Sequence, residues 1–222
     1  TLSAADFLAR WFESDPVKAL LGFDSIVGTY ASPYEPGTAY LMLHHAFGEV
    51  NGKKGLWGHA IGGMGAISEA IAEAARVAGA EIETGAGIAE ILIEQGRTTG
   101  VVLEDGRIVH GRAVAANMTL KRLYTELVAK EALPPAFLTR METFKYGSGT
   151  FRMNVALSKL PDFTCLPGAV AGDHHGAGII LAPSLDSMDR AYRDARKRGW
   201  STEPILEMLI PATSDPTLAP PG

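Results

Sequence analysis

A glycine-rich loop that leads directly into an amphipathic helix constrains this chain more than any other feature. The loop reads Gly58-His59-Ala60-Ile61-Gly62-Gly63-Met64-Gly65. The predicted helix after it carries one apolar stripe at helical spacing, made of Ile67, Ala70, Ile71, Ala74 and Ala78. A helix start directs backbone N–H groups and a positive partial charge outward, and glycines let another group approach closely. The loop is therefore either a tight packing turn or the place where a ligand or another backbone meets the chain.

A run of β-strand signals follows the helix. Gly79 is placed to stop the helix in a left-handed conformation, and two turn signals, Gln95-Gly96 and Asp105-Gly106, divide the next segment. Strands are predicted at 80–84, 88–94, 99–104 and 107–109, and at 113–117 as a small-residue strand buried on both faces. The pattern predicts a three-stranded antiparallel meander between Ile88 and Asn117.

The order of these motifs resembles the phytoene desaturase-like FAD-dependent oxidoreductases, and within them the branch of the pyridine nucleotide-disulfide oxidoreductase domain-containing protein 2. The resemblance covers nearly the whole chain. It rests on the glycine loop with its helix and on the segments 37–49, 84–86, 100–106, 114–117, 163–168, 182–186 and 215–222.

Two family segments are missing from these 222 residues. Neither the G-x-G-x-x-G strand-turn-helix that holds the flavin pyrophosphate nor the C-terminal glycine-rich flavin segment is present. We therefore expect the chain to be the central fragment of a longer enzyme, excised or proteolysed from it. A mature protein without its leader is the rival explanation.

The resemblance implies a mixed α/β (α+β) fold with a discontinuous FAD domain. Residues 56–118 would supply the glycine loop, the helix and the meander to that domain. Residues 1–55 and 119–222 would form a substrate domain of antiparallel sheet and helices. It also implies cofactor contacts at Gly62, Gly63, Met64, Ile88 and Asn117, where Ile88 would meet the adenine of FAD through its backbone. No catalytic residue is identified.

Local patterns predict the remaining elements. Apolar spacing and capping residues predict one or two short helices between Ser3 and Leu21, and further helices at 38–47, 120–128, 134–142 and 185–198. Alternation predicts strands at 150–157, 178–181 and 205–210.

Composition excludes several classes of function. The chain is 46% hydrophobic and 20% charged, which is typical of a folded protein. Its net charge of −5 argues against nucleic acid as a partner, and it contains no apolar run near the ~20 residues of a membrane span. A single cysteine, Cys165, fits a reducing cytoplasm. The pairs His44-His45 and His174-His175 lack acidic residues at ligand spacing, so no metal site is predicted.

The sequence is compatible with two classes of function. The first is a flavoenzyme whose full-length form moves a hydride from a C–H bond of a small apolar substrate to FAD, or an amine oxidase-type enzyme of the same fold. The second is a non-catalytic binding or assembly module that kept the fold. Without the pyrophosphate site, we expect this chain alone to hold no flavin and to be inactive. We also expect it to self-associate through apolar surface around Ile88 and Val114.

Overall fold

The computed structural model describes residues 2–168 and 170–220. The chain forms two compact units, of which unit 1 contains Thr1–Ala70 and Gly147–Gly222 and unit 2 contains Ile71–Tyr146. The helices in chain order are α1 (Ala4–Leu8), α2 (Asp15–Phe23), α3 (Thr38–Ala46), α4 (Gly63–Val77), α5 (Leu120–Arg122), α6 (Pro135–Glu142) and α7 (Leu185–Arg198). Short helical turns occupy Leu123–Leu127, Lys130–Ala132, Asp173–Gly176, Pro211–Thr213 and Pro216–Leu218.

The strands form three small antiparallel sheets. Their bounds are β1 (Glu49–Val50), β2 (Lys53–Lys54), β3 (Ile88–Glu94), β4 (Arg97–Leu103), β5 (Ile108–His110), β6 (Ile179–Leu181) and β7 (Leu206–Met208). β1 pairs with β2, β6 pairs with β7, and β3, β4 and β5 form a meander in that order. The predicted mixed α/β fold with an antiparallel meander is confirmed.

Unit 1 is built around a core that helices α1, α2, α3 and α7 supply. Ser3 caps α1 by accepting the Asp6 N–H, and Ser184 caps α7 by accepting the Ser187 N–H. Leu8 and Met188 lie at the centre of the core, with 1% and 0% of their surface exposed. The other buried core residues are Ala4, Ala5, Ala19, Phe23, Met42 and Leu185.

Unit 2 packs one face of its meander against the segment that follows it. In register, Ile91 pairs with Val101 and Val101 with Val109. Ile91 forms a core with Leu123, Leu127 and Val128, and the partly buried side chains of Val101 and Val114 pack against this core. Burial of these apolar side chains is the main stabilising contribution within this unit.

Both turns of the meander follow the chemistry of their residues. Gln95 and Gly96 have φ of 50° and 75°, as the two central positions of a type I′ turn require. Gly106 has φ of 87° and closes the second turn by donating its N–H to Leu103 O at 2.9 Å. The hairpin interpretation of both sequence signals is therefore correct.

Most of the predicted helices are confirmed, within a few residues at their ends. The helices predicted between Ser3 and Leu21 are α1 and α2, and those at 38–47, 134–142 and 185–198 are α3, α6 and α7. The segment predicted as a helix at 120–128 begins as α5 and continues as a π-helical turn. The strands predicted at 178–181 and 205–210 are β6 and β7.

Three strand predictions are wrong. Residues 80–84, 113–117 and 150–157 adopt no regular strand. Within 113–117, only Val114 is half-buried, and its neighbours are exposed rather than buried on both faces. In the described part of the chain, no segment is paired with these residues, and a strand without a ladder partner leaves its backbone groups to water.

Candidate functional site

The glycine loop runs from Gly58 into the first turn of α4 and lies in unit 1. Gly62 and Gly63 have φ of 85° and 72°, a left-handed conformation that strains any residue with a Cβ. The Gly63 N–H donates to Ala60 O at 2.8 Å, which closes the turn before the helix. These two glycines are therefore required by the path of the backbone itself.

The C-terminal turn of the chain holds this loop from one side. The Asp215 carboxylate accepts the Gly62 N–H through Oδ2 at 2.7 Å, although 153 residues separate them in sequence. Next to this contact, a Cβ placed on Gly63 would lie 2.9 Å from Cδ2 of Leu218. The turn Asp215 to Leu218 thus contacts both left-handed glycines, one through a hydrogen bond and the other through apolar packing.

Asp215 is buried and well supplied with donors. None of its side-chain surface is exposed. Its Oδ1 accepts the Thr217 hydroxyl at 2.6 Å and the Thr217 N–H at 3.1 Å. His59 is half-exposed and places Nε2 3.5 Å from Oδ2. The Thr217 hydroxyl bond lowers the pKa of the Asp215 carboxyl below its ordinary value of 3.8, with help from the Gly62 N–H and against the effect of burial.

Within the glycine loop, Gly65 is required neither by a positive φ nor by a close neighbour. It lies in the first turn of α4, its φ is not positive, and a Cβ there would have no described atom within 4 Å. Glycine in a helix is less stable than alanine by roughly 0.5–1 kcal/mol. The space that a side chain at Gly65 would occupy, next to the start of α4, is therefore open.

The surface around the helix start is apolar and exposed. Ile61 is 69% exposed and Met64 is 79% exposed. The first N–H groups of an α-helix have no acceptor within the helix, and here this applies to Met64 and Gly65. The arrangement can present backbone donors, together with exposed apolar side chains, to a ligand that carries polar atoms on an apolar body.

The other end of the loop is anchored by aromatic packing. Trp57 donates its Nε1–H to His45 O at 3.2 Å and stacks on the His45 ring, with ring centroids 5.7 Å apart. Since this contact precedes Gly58 directly, it fixes where the loop begins.

The predicted cofactor residues fall into two groups. Gly62, Gly63 and Met64 are consecutive in the loop of unit 1. Ile88 and Asn117 lie in unit 2, where half-buried Ile88 begins β3 and pairs with Leu103. Asn117 is exposed in the irregular segment after the meander. A role for these five residues in binding a cofactor stays a prediction.

Sequence analysis did not identify Asp215 as part of a site. The order Asp215-Pro216-Thr217 is typical of a capping aspartate with proline at the first helical position, and Asp215 does cap the turn Pro216–Leu218. That signal predicts the Thr217 contact. It carries no information on Gly62, which lies far away in sequence.

Residues 2–168 and 170–220 contain neither a metal-binding cluster nor a membrane-spanning helix. No group of three or more His, Cys, Asp or Glu side chains is arranged to hold a metal ion. Within the same residues, no helix has the length and apolar character needed to cross a bilayer.

Comparison with known proteins gives a consistent set of relatives. The chain is 38% identical over 228 residues to the pyridine nucleotide-disulfide oxidoreductase domain-containing protein 2 of Rattus norvegicus, with all of this chain and 39% of the relative covered. It is 30% identical to the zeta-carotene-forming phytoene desaturase of Myxococcus xanthus, covering 97% of this chain and 37% of the relative. It is 23% identical to the lycopene-forming phytoene desaturase of Pseudescherichia vulneris, covering 97% of this chain and 40% of the relative.

The chain spans about two fifths of the length of these curated relatives. No protein-family model matches it.

Proposed function

Since the chain belongs to the flavin-dependent oxidoreductase family that includes the phytoene desaturases, we propose that it is the central part of an FAD enzyme. In this proposal, the full-length protein moves a hydride from a C–H bond of a small apolar substrate to the flavin. The observation that carries it is the similarity to a phytoene desaturase over 97% of the chain. The glycine loop adds a structural reason, because its open side offers room for a ligand at Gly65.

The residues of this chain fit one side of a flavin site. Bound FAD would supply the electron-accepting ring, and the chain would supply position and a dry surface. Gly62 and Gly63 keep side chains out of the turn, while the N–H groups of Met64 and Gly65, which have no acceptor within α4, would meet polar atoms of the cofactor. Residues 56–118 would contribute to the FAD domain, with Ile88 and Asn117 as further contacts. Residues 1–55 and 119–222 would form the substrate domain.

We propose a cytoplasmic location because the chain carries a single cysteine, Cys165, and so has no internal disulfide, which fits a reducing compartment. Self-association of the chain alone is also proposed, although the surface differs from the one expected. Ile88 and Val114 are half-buried, whereas Phe151 is 88% exposed and Met153 is 70% exposed. Sedimentation of the chain and of a Phe151→Asp variant tests this proposal. The variant should associate less than the wild type, whereas association through another surface would give both proteins the same sedimentation behaviour.

The function is tested by the visible absorption spectrum of the full-length protein. Flavin bands that bleach without oxygen when a polyene is added support a desaturase-like activity. Bleaching by an amine instead assigns the amine oxidase-type reaction. A colourless protein that takes up no added FAD would favour the non-catalytic binding module.

A further inference from the structure

We infer that Asp215 is the positioning residue of the glycine loop, which sets the first-turn N–H groups of α4 for the flavin by holding the Gly62 N–H. The inference rests on the proposed function. It adds a residue from the opposite end of the chain to the flavin side of the site.

The contacts of Asp215 leave its carboxylate little freedom. Oδ1 is held by the hydroxyl and the N–H of Thr217, at 2.6 and 3.1 Å. Oδ2 then points to Gly62, and Nε2 of half-exposed His59 lies 3.5 Å from it. Thr217 belongs to the same turn as Asp215, so contacts within this turn orient the carboxylate. The oriented carboxylate then holds the Gly62 N–H and with it the loop.

The position of the loop depends on this contact because the loop itself is weakly constrained. Left-handed glycines have access to many backbone conformations, so two in a row give the chain before α4 a broad choice of directions. The Gly62 N–H bond selects one of them at the residue that precedes the helix. The Leu218 side chain packs against Gly63 from the same turn and restricts the next residue.

Ionisation of Asp215 is necessary for this role. An ionised carboxylate accepts at both oxygens, whereas an asparagine in the same place presents an N–H₂ group to one of its two partners. A carboxylate bond to a backbone N–H is also stronger than a bond between neutral groups. The geometry therefore distinguishes Asp215 from a residue that only fills space between the loop and the turn.

The test compares Asp215→Asn with the wild type in the full-length protein, using FAD itself as the probe. We expect the dissociation constant for FAD to rise about tenfold, which corresponds to the loss of one hydrogen bond to a charged acceptor. Asp162→Asn is the matched control, because Asp162 Oδ1 accepts the Gly168 N–H at 2.9 Å in an exposed loop. The control removes the same type of contact and should leave FAD affinity unchanged.

A second variant separates positioning from general stability. Thr217→Val removes the hydroxyl that lowers the pKa of Asp215, so release of FAD on acidification should begin at a higher pH than in the wild type. This variant also serves if Asp215→Asn does not fold.

Wild-type FAD affinity in Asp215→Asn would overturn the inference, as would an unchanged pH of release in Thr217→Val. If the wild-type protein binds no FAD, it is the proposed function that fails.

Discussion

The Asp215 carboxylate accepts a hydrogen bond from the backbone N–H of Gly62 at 2.7 Å, across 153 residues of chain. This contact joins the C-terminal turn of unit 1 to the loop that precedes α4. The loop is one of the segments by which the sequence resembles the phytoene desaturase-like family. Its geometry therefore depends on a residue that lies outside the loop motif.

Removing this contact should make the backbone of the glycine loop more mobile in the 222-residue chain without flavin. In Asp215→Asn, we expect the Gly62 amide to exchange with solvent about tenfold faster, because its charged acceptor is lost. Amide exchange followed by NMR measures this directly. Asp162→Asn should accelerate Gly168 and leave Gly62 unchanged; equal protection of Gly62 in all three proteins would contradict the prediction.

The same contact should depend on pH in a defined direction. The pKa of Asp215 is lowered in the fold, chiefly by the Thr217 hydroxyl, so its contribution to stability is complete above the ordinary value of 3.8. The contribution is lost as the pH falls through the lowered pKa. The chemical shift of the Gly62 amide should therefore titrate with a midpoint below 3.8. A midpoint above that value would mean that burial, and not hydrogen bonding, dominates at this carboxylate.

Gly65→Ala should affect stability and cofactor binding in opposite directions. Without flavin, alanine is expected to stabilise the chain by about 0.5–1 kcal/mol, because Gly65 lies in a helix and its Cβ would meet nothing. In the full-length protein, the added methyl group should weaken FAD binding. Denaturant unfolding and FAD titration measure the two effects.

Gly62→Ala is the matched comparison, because it places a Cβ at φ of 85° and should destabilise the chain even without flavin. If Gly65→Ala stabilises the chain and FAD affinity is unchanged, the open space at Gly65 is not part of a flavin site.

Truncation of Met188, in the core of unit 1, should destabilise the fold. This side chain has 0% of its surface exposed, and Met188→Ala is expected to lower the free energy of unfolding by about 2–5 kcal/mol. Met153 is 70% exposed, so Met153→Ala should change that free energy by less than about 0.5 kcal/mol. Urea denaturation of both variants provides the comparison. Equal effects would place Met188 outside the core.

The 222-residue chain alone should not bind FAD. The glycine loop offers a few backbone N–H groups, and each hydrogen bond contributes only about 0.5–1.5 kcal/mol net. The G-x-G-x-x-G segment that holds a dinucleotide pyrophosphate is absent from these residues. Titration with FAD, followed by flavin fluorescence, should show no saturable binding. Micromolar affinity would mean that the chain contains a complete site.

Local signals in the sequence predict much of this fold. The turns at Gln95-Gly96 and Asp105-Gly106 give the meander, since each needs backbone angles that those residues adopt readily. The left-handed end of α4 at Gly79, with φ of 89°, follows from the same reasoning.

The features that the sequence does not predict depend on contacts between residues far apart in the chain. Alternation at 150–157 describes two faces of a segment and not whether a neighbouring strand exists, so the strand prediction there is wrong. The hydrogen bond between Asp215 and the Gly62 N–H could not be predicted from the sequence for a related reason. Only the folded chain brings the two residues together.

A structure of the full-length protein with FAD bound would show whether the glycine loop faces the flavin. We expect the backbone of Gly62 to Gly65 to be in direct contact with the cofactor, with Asp215 still bonded to the Gly62 N–H. A structure in which side chains of the protein separate this loop from FAD would contradict it.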